Sequence, residues 1–137
     1  MTTIVDANGA ILGRFCTNIA KRLLNGEEIA VINSEKAIVS GKKVAIKAHY
    51  KEEREVGTYR KGPFYPRKPD QIVKRTIRGM MPYQSPHGRT AFKRLKCYIG
   101  IPKEFEGKKF DNVKEAEKKP VDFMTIEELS RFLGAKI

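Results

Sequence analysis

The first thirty-three residues admit few folds. Ile4 and Val5 open one short apolar run, and Ile29, Val31 and Ile32 carry a second. Between them Leu12, Phe15, Cys16, Ile19, Ala20, Leu23 and Leu24 recur at steps of three and one, which places them on one stripe of an α-helix. Arg14, Thr17, Asn18, Lys21 and Arg22 take the opposite face. Asn8-Gly9 marks the turn before this helix, and Asn25-Gly26 ends it, with glycine supplying the left-handed C-terminal conformation. The apolar centre of the second run is continuous, as in a strand buried on both faces of a parallel sheet. Parallel strands joined through a helix need a crossover, and crossovers are nearly always right-handed. At 137 residues, 40% of them hydrophobic, the chain makes one domain (1–137) with a core of its own.

Downstream the signals are less even. Ala37 to Ser40 reads as a third short strand closed by Gly41, and Lys42 to Glu55 as a helix with a thin apolar stripe of Val44, Ala45 and Ala48. Pro63, Pro66 and Pro69 recur every third residue, so Gly57 to Pro69 reads as an extended strap. Asp70 is placed to cap the next helix, with Ile72, Val73, Thr76, Ile77, Met80 and Met81 on one side and Lys74, Arg75 and Arg78 on the other. A short helix over Pro86 to Arg94 and a strand over Leu95 to Ile99 follow. Pro102 to Phe123 has no clear pattern. Thr125 and Glu128 make a capping box for a last helix with Ile126, Leu129 and Leu133 inward, and Met124 and Leu129 can form its hydrophobic staple.

Charge is concentrated in one segment. Residues 58–96 hold eleven basic side chains and one acidic, a net +10 of the chain's +12. Such concentration is the footprint of a face that binds a polyanion. A membrane surface would want an unbroken basic amphipathic helix; here prolines and glycines interrupt the charges, which favours nucleic acid. Aromatic side chains are interleaved with the cations, so phosphates and unpaired bases can be met together. The residues expected to touch RNA are Tyr59, Arg60, Lys61, Phe64, Tyr65, Arg67, Lys68, Lys74, Arg75, Arg78, His87, Arg89, Lys93, Arg94 and Lys96. The alternative for each aromatic is a place capping the core.

Catalytic and metal signals are weak. Gly9 to Gly13 has three intervening residues and is followed by Arg14-Phe15, so neither a Walker loop nor a dinucleotide fingerprint is met. A phosphate- or nucleotide-binding enzyme on an open sheet is the alternative class. His49 and His87 stand in no metal-ligand spacing, and no nucleophile is nominated. The expectation is no catalytic residue, no metal, no cofactor and no small-molecule substrate. Cys16 and Cys97 read as reduced core residues, which suits the cytosol. Ile29 to Ile32 is too short for a leader core or a membrane span.

The run IRGMMP, YQSPH, GR, TAFKR, LKCYIG from Ile77 resembles the signature of the large-subunit ribosomal protein L13 (uL13) family. The resemblance extends upstream through VDANGAILGRFCTNIAKRLLNGE, VINSEKAIVSGKK and GPFYPRKP, and its form is similar to the archaeal and eukaryotic branch. Arg78, Gly79, Met80, Pro82, Gly88 and Arg89 carry over as motif positions. The resemblance implies a three-layer α/β/α fold on a mostly parallel four-stranded sheet, to which the proline-rich basic strap is an extension. It also implies a structural, non-catalytic role in the cytoplasmic large subunit. Binding ribosomal RNA and supporting assembly go with that role, and neighbouring large-subunit proteins are further partners.

Overall fold

The computed structural model describes residues 2–58, 60–117 and 119–136. Strand β1 (Thr2–Asp6), helix α1 (Leu12–Leu24) and strand β2 (Glu28–Ile32) form the expected opening unit, with β1 and β2 parallel and Thr3 opposite Ile29 and Val5 opposite Val31. The α1 stripe is buried where the three-and-one spacing puts it: Phe15, Cys16, Ile19 and Leu23 are fully covered. Gly26 adopts φ +102°, closing the helix as its sequence predicts. All of Ile29 to Ile32 is buried, as befits a central strand.

Strand β3 (Ile38–Ser40) exists but leaves the main sheet. It pairs antiparallel with β6 (Phe123–Thr125), Val39 opposite Met124. The main sheet is instead completed by β4 (Leu95–Cys97) beside β2 and by β5 (Asp111–Asn112) beside β1, all parallel, in the order β4-β2-β1-β5. The two-residue β5 carries no apolar pattern, which is why the 102–123 region is silent in the sequence; its place comes from pairing with Val5 and Asp6.

The sheet is covered unequally on its two faces. On one, Val5, Ile29, Val31 and Leu95 meet α1 and α3 (Pro69–Gly79), with α2 (Lys43–Glu55), α4 (Pro86–Lys93) and α5 (Ile126–Phe132) adding to the same core. On the other, Ile4, Ala30 and Ile32 are covered by Phe105 of a 3-10 turn (Lys103–Phe105), with Tyr98 and Phe110 packed beside it. The α/β architecture on a parallel four-stranded sheet is the expected one, and its third layer is this thin aromatic segment.

Three local expectations are corrected. Helix α2 buries Ile46 and Tyr50, whereas Val44, Ala45 and Ala48 face outward. An isoleucine and a tyrosine remove more apolar surface from water than a valine and two alanines, so they win the inner face. The Lys43–Glu128 ion pair at 3.1 Å and Lys47 over the Phe132 ring fix the same rotation. Asp70 does not cap α3. Pro69 takes the first helical position, where its missing N–H costs nothing, and Asp70 falls in the first turn, where the helix dipole favours it. Met80 is not core: it follows the helix end at Gly79, is 41% exposed, and its sulfur lies 3.4 Å from the Thr17 hydroxyl, whose proton goes to the Gly13 carbonyl at 2.9 Å. At the C-terminus, Thr125 caps α5 by accepting from the Glu128 N–H at 3.2 Å, while the Glu128 carboxylate serves Lys43.

Candidate nucleic-acid interface

The strap begins with a tight tip. Gly57 has φ +88°, and a Cβ there would lie 2.0 Å from the Gly62 carbonyl oxygen, so no side chain fits. The Gly62 N–H donates to the Thr58 carbonyl at 2.9 Å, and the Lys61 N–H to the Thr58 hydroxyl at 3.1 Å. This turn carries Arg60 and Lys61 into solvent. Tyr59 lies outside the described residues. Beyond the cis Gly62–Pro63 peptide the strap has no internal ladder, and α2 and α3 hold it instead. Arg54 donates to the Tyr65 carbonyl, and Arg75 to the Phe64 carbonyl at 3.4 Å.

Phe64 and Tyr65 part company here. Phe64 is 62% exposed, whereas Tyr65 is 8% exposed and packs edge-on to Tyr50 at 5.7 Å. The Arg75 guanidinium covers the Tyr65 ring at 4.9 Å. Burial, with Tyr50 and Glu53 adding to it, pushes the Tyr65 hydroxyl well above the usual tyrosine range. Tyr65 is thus a core ring and cannot stack on a base: the strap needs an apolar anchor, and Tyr50 offers it a partner.

Helix α3 supplies the cations. Its inner face buries Ile72, Val73 and Ile77, which turns Lys74, Arg75 and Arg78 outward. Each of the three covers a ring, Lys74 that of Phe92 at 5.4 Å and Arg78 that of Tyr83 at 5.5 Å, besides Arg75 on Tyr65. Phe64, Pro66, Gln71, Lys74, Arg75, Arg78 and Phe92 line one open groove of about 260 Å³. Among the described residues no carboxylate lines it. A cation held over an aromatic face keeps its charge and gains a fixed position. Gln71, Tyr83 and Phe92 are not among the residues the sequence nominates, although Tyr83, five residues past Arg78, is an aromatic close enough to the row to be a usable signal.

Helix α4 is locked against the end of α3. The Ser85 hydroxyl accepts from the Gly88 N–H at 3.3 Å and donates to the Pro82 carbonyl at 2.8 Å. Gly88 is pressed on that same carbonyl, and a Cβ there would lie 1.9 Å from its oxygen. His87 and Arg89 are exposed on this turn, and Arg89 donates to the Gln84 carbonyl at 3.3 Å. Arg67 and Lys68 are exposed at the far end of the strap, where the Arg67 guanidinium approaches Gly134.

The last three predicted cations lie elsewhere. Arg94 donates to the Leu23 carbonyl at 3.0 Å, a second donor there beside the Gly26 N–H at 3.1 Å, so it is a fastening within the fold. Lys96 pairs in register with Ala30, on the sheet face opposite α3. Lys93 and Lys96 share a separate cleft with Glu28 and Glu104. Apart from Tyr59, the fourteen expected residues that are described thus divide into a groove with its rim, a lysine pair across the sheet, and two side chains that hold the fold.

Other chemistry finds little support in the geometry. The turn after β1 is closed by protein: the Ile11 N–H, at the start of α1, donates to the Ala116 carbonyl at 2.8 Å. Among the described residues no cluster of three or more His, Cys, Asp or Glu is arranged to hold a metal ion, and no helix is long and apolar enough to cross a membrane.

Residues 1–104 match the family model of ribosomal protein L13. Curated relatives extend the similarity to nearly the whole chain. The large ribosomal subunit protein uL13 of Archaeoglobus fulgidus is 46% identical over 136 residues, covering 96% of this chain and 87% of its own. That of Methanococcoides burtonii is 46% identical over 137 residues, covering 98% and 99%. That of Methanosphaera stadtmanae is 47% identical over 141 residues, covering 99% of each. By the family model and these relatives, the chain belongs to the ribosomal protein L13 family.

Proposed function

We propose that this protein is a structural constituent of the large ribosomal subunit, that it binds ribosomal RNA through the strap, α3 and the α3–α4 turn, and that it supports subunit assembly. Its role is structural rather than enzymatic, and its place is the ribosome, a cytoplasmic particle. The partners are ribosomal RNA and other proteins of the subunit.

The observation that carries the assignment of the face is the groove of Lys74, Arg75 and Arg78 beside the exposed ring of Phe64. Three cations fixed over rings present phosphate contacts at set spacings, and an exposed ring offers a stacking surface for an unpaired base. Arg60, Lys61, Arg67, Lys68, His87 and Arg89 extend the face along its rim. Lys93 and Lys96 would reach a second RNA segment across the sheet. Tyr65 and Arg94 contribute by holding the shape.

The test is binding of the full chain to transcribed large-subunit ribosomal RNA and to a homopolymer across a salt series. With about six phosphates neutralised, the log–log slope is expected to be about −4 to −5. Fixed spacing predicts preference for the folded RNA. A slope near zero, or equal affinity for the homopolymer, would count against this face as the site of recognition.

A further inference from the structure

Helix α1 presents a cationic row that lies outside the basic segment. From Leu12 to Leu24 the helix has no acidic residue, and its outer half carries Arg14, Lys21 and Arg22. These three are not equivalent. The Arg22 guanidinium stands 2.7 Å from the Glu27 carboxylate and 3.7 Å from that of Asp111. Arg14 and Lys21 are exposed, and neither has an ion-pair partner among the described residues. Arg14 also sits in the first turn, the end of a helix that disfavours a cation. A charge placed there against the dipole, with no carboxylate beside it among the described residues, is poised for an anion from outside the molecule.

Position supports the same reading. Arg14 and Lys21 stand seven residues apart, roughly 10 Å along the helix axis, and line one open groove with Thr17 and Asn18. Arg14 and Thr17 also border a second groove shared with Thr76 of α3 and with Met80 just past its end. The Thr17 hydroxyl meets the Met80 sulfur at 3.4 Å across that seam. The α1 row therefore adjoins the end of α3, just past Arg78. Axes of packed helices lie about 8–10 Å apart, so one RNA segment can lie across both rows.

We propose that Arg14 and Lys21 bind RNA phosphates, so that RNA seated on α3 continues over the seam onto α1. The inference rests on the RNA-binding reading above and extends it beyond residues 58–96. The contact is to the sugar–phosphate backbone, because among the described residues no aromatic ring lines the α1 groove to stack on a base. A protein partner would want an apolar centre to its seat. Of this face's described residues only Met80 is a large exposed hydrophobic.

The experiment compares three double variants of the full chain on transcribed large-subunit ribosomal RNA across a salt series. They are Arg14→Gln with Lys21→Gln on α1, Lys74→Gln with Arg78→Gln on α3, and Lys36→Gln with Lys51→Gln as a control for net charge. Two lost phosphate contacts predict that the α1 pair lowers the magnitude of the log–log slope by roughly 1.5, with the melting temperature unchanged. A charge-preserving exchange, Arg14→Lys with Lys21→Arg, should keep the parent slope, and a reduced slope in it overturns the electrostatic assignment. If the α1 pair changes binding no more than the control does, the inference fails. In that case a loss in the α3 pair leaves the RNA-binding reading standing, and no loss there removes both. If RNA binding survives the α1 changes but co-sedimentation with large subunits is lost, the face belongs to a protein neighbour and the proposal is overturned.

Discussion

The opening β–α–β unit and the 57–69 strap are held by opposite means. In the unit, strand pairs with strand along five residues of β1, and α1 lays an unbroken stripe on the sheet beneath it. Its shape is largely its own. Among its described residues the strap makes one bridge with itself, Thr58 to Gly62, and borrows further shape from Tyr50 and Arg54 of α2 and from Arg75 of α3. A surface that must stay open to a partner cannot bury its own backbone, so its order has to come from neighbours. The cations of the 58–96 segment are accordingly divided between fastening the face and presenting it.

The largest effect expected from testing this contrast is at Ile77. It is fully buried beneath the α3 row. Ile77→Asp places an unpaired charge in the core and is expected to unfold the protein, since the penalty rivals the roughly 5–15 kcal/mol of a whole domain. Arg78→Glu, one residue on and exposed, should leave the circular dichroism spectrum and the melting temperature within error while weakening RNA binding. An Ile77→Asp protein that melts cooperatively near the parent would reverse the two faces of α3. Next in size is Tyr65→Ala, expected to cost about 3–5 kcal/mol in denaturant titration by emptying an aromatic site. Phe64→Ala should cost under about 0.5 kcal/mol, as exposed positions do, and act on RNA affinity instead. Equal losses of stability at the two rings would mean the strap is not anchored through Tyr65.

The two rings also mark what a sequence can convey. Periodicity alone places Phe15, Ile19 and Leu23 inside, because helix geometry is local. The charge map likewise places the basic face on α3. No such rule separates Phe64 from Tyr65, since an extended strap has no period of its own and the choice is made by Tyr50, fifteen residues upstream. The same holds for Met80, which leaves the α3 stripe because the helix has already ended, and for Val44 and Ala48, displaced from the inner face of α2 by Ile46 and Tyr50. Strand β5 is two polar residues whose place is assigned only by pairing to β1. Arg14 and Lys21 stand out in the sequence as the outer face of α1, but that no described carboxylate pairs with them is a fact of three dimensions.

Two smaller tests sharpen the division of labour around α4. Gly88→Ala must push the added methyl group away from the Pro82 carbonyl, and a loss of about 1–3 kcal/mol is expected, as for other overpacked sites. Retained stability would show that the 82–88 turn yields. Arg94→Gln removes a charged donor from the Leu23 carbonyl and should cost about 1–2 kcal/mol. Lys93→Gln, its exposed neighbour, should leave the denaturation midpoint unchanged. If both cost the same, Arg94 is not a fastening, and its charge returns to the RNA-facing set.

The smallest expected effect concerns the two cysteines, which probe whether the scaffold side is as closed as its periodicity implies. Cys16 is fully buried on α1, and Cys97 is partly covered in β4. Burial is the main cause that pushes both thiols up, that of Cys16 beyond the range where it ionises in a native protein and that of Cys97 to about 12. Both are neutral at pH 7 in the folded and the unfolded chain, so neither affects stability there. As pH rises past the ordinary thiol value of 9.0, the unfolded chain ionises while the folded one does not. The stability held below that value is therefore lost progressively toward pH 12. Between pH 7 and 9 the shift in denaturation midpoint should be slight, and it should be smaller still in a Cys16→Ala, Cys97→Ala variant. A thiol reagent at pH 8 should modify neither residue until denaturant is added, because the reactive species is the thiolate. Rapid native modification of Cys16 would show that the α1 stripe opens in solution, and the rigidity that separates scaffold from strap would then be lost as an explanation.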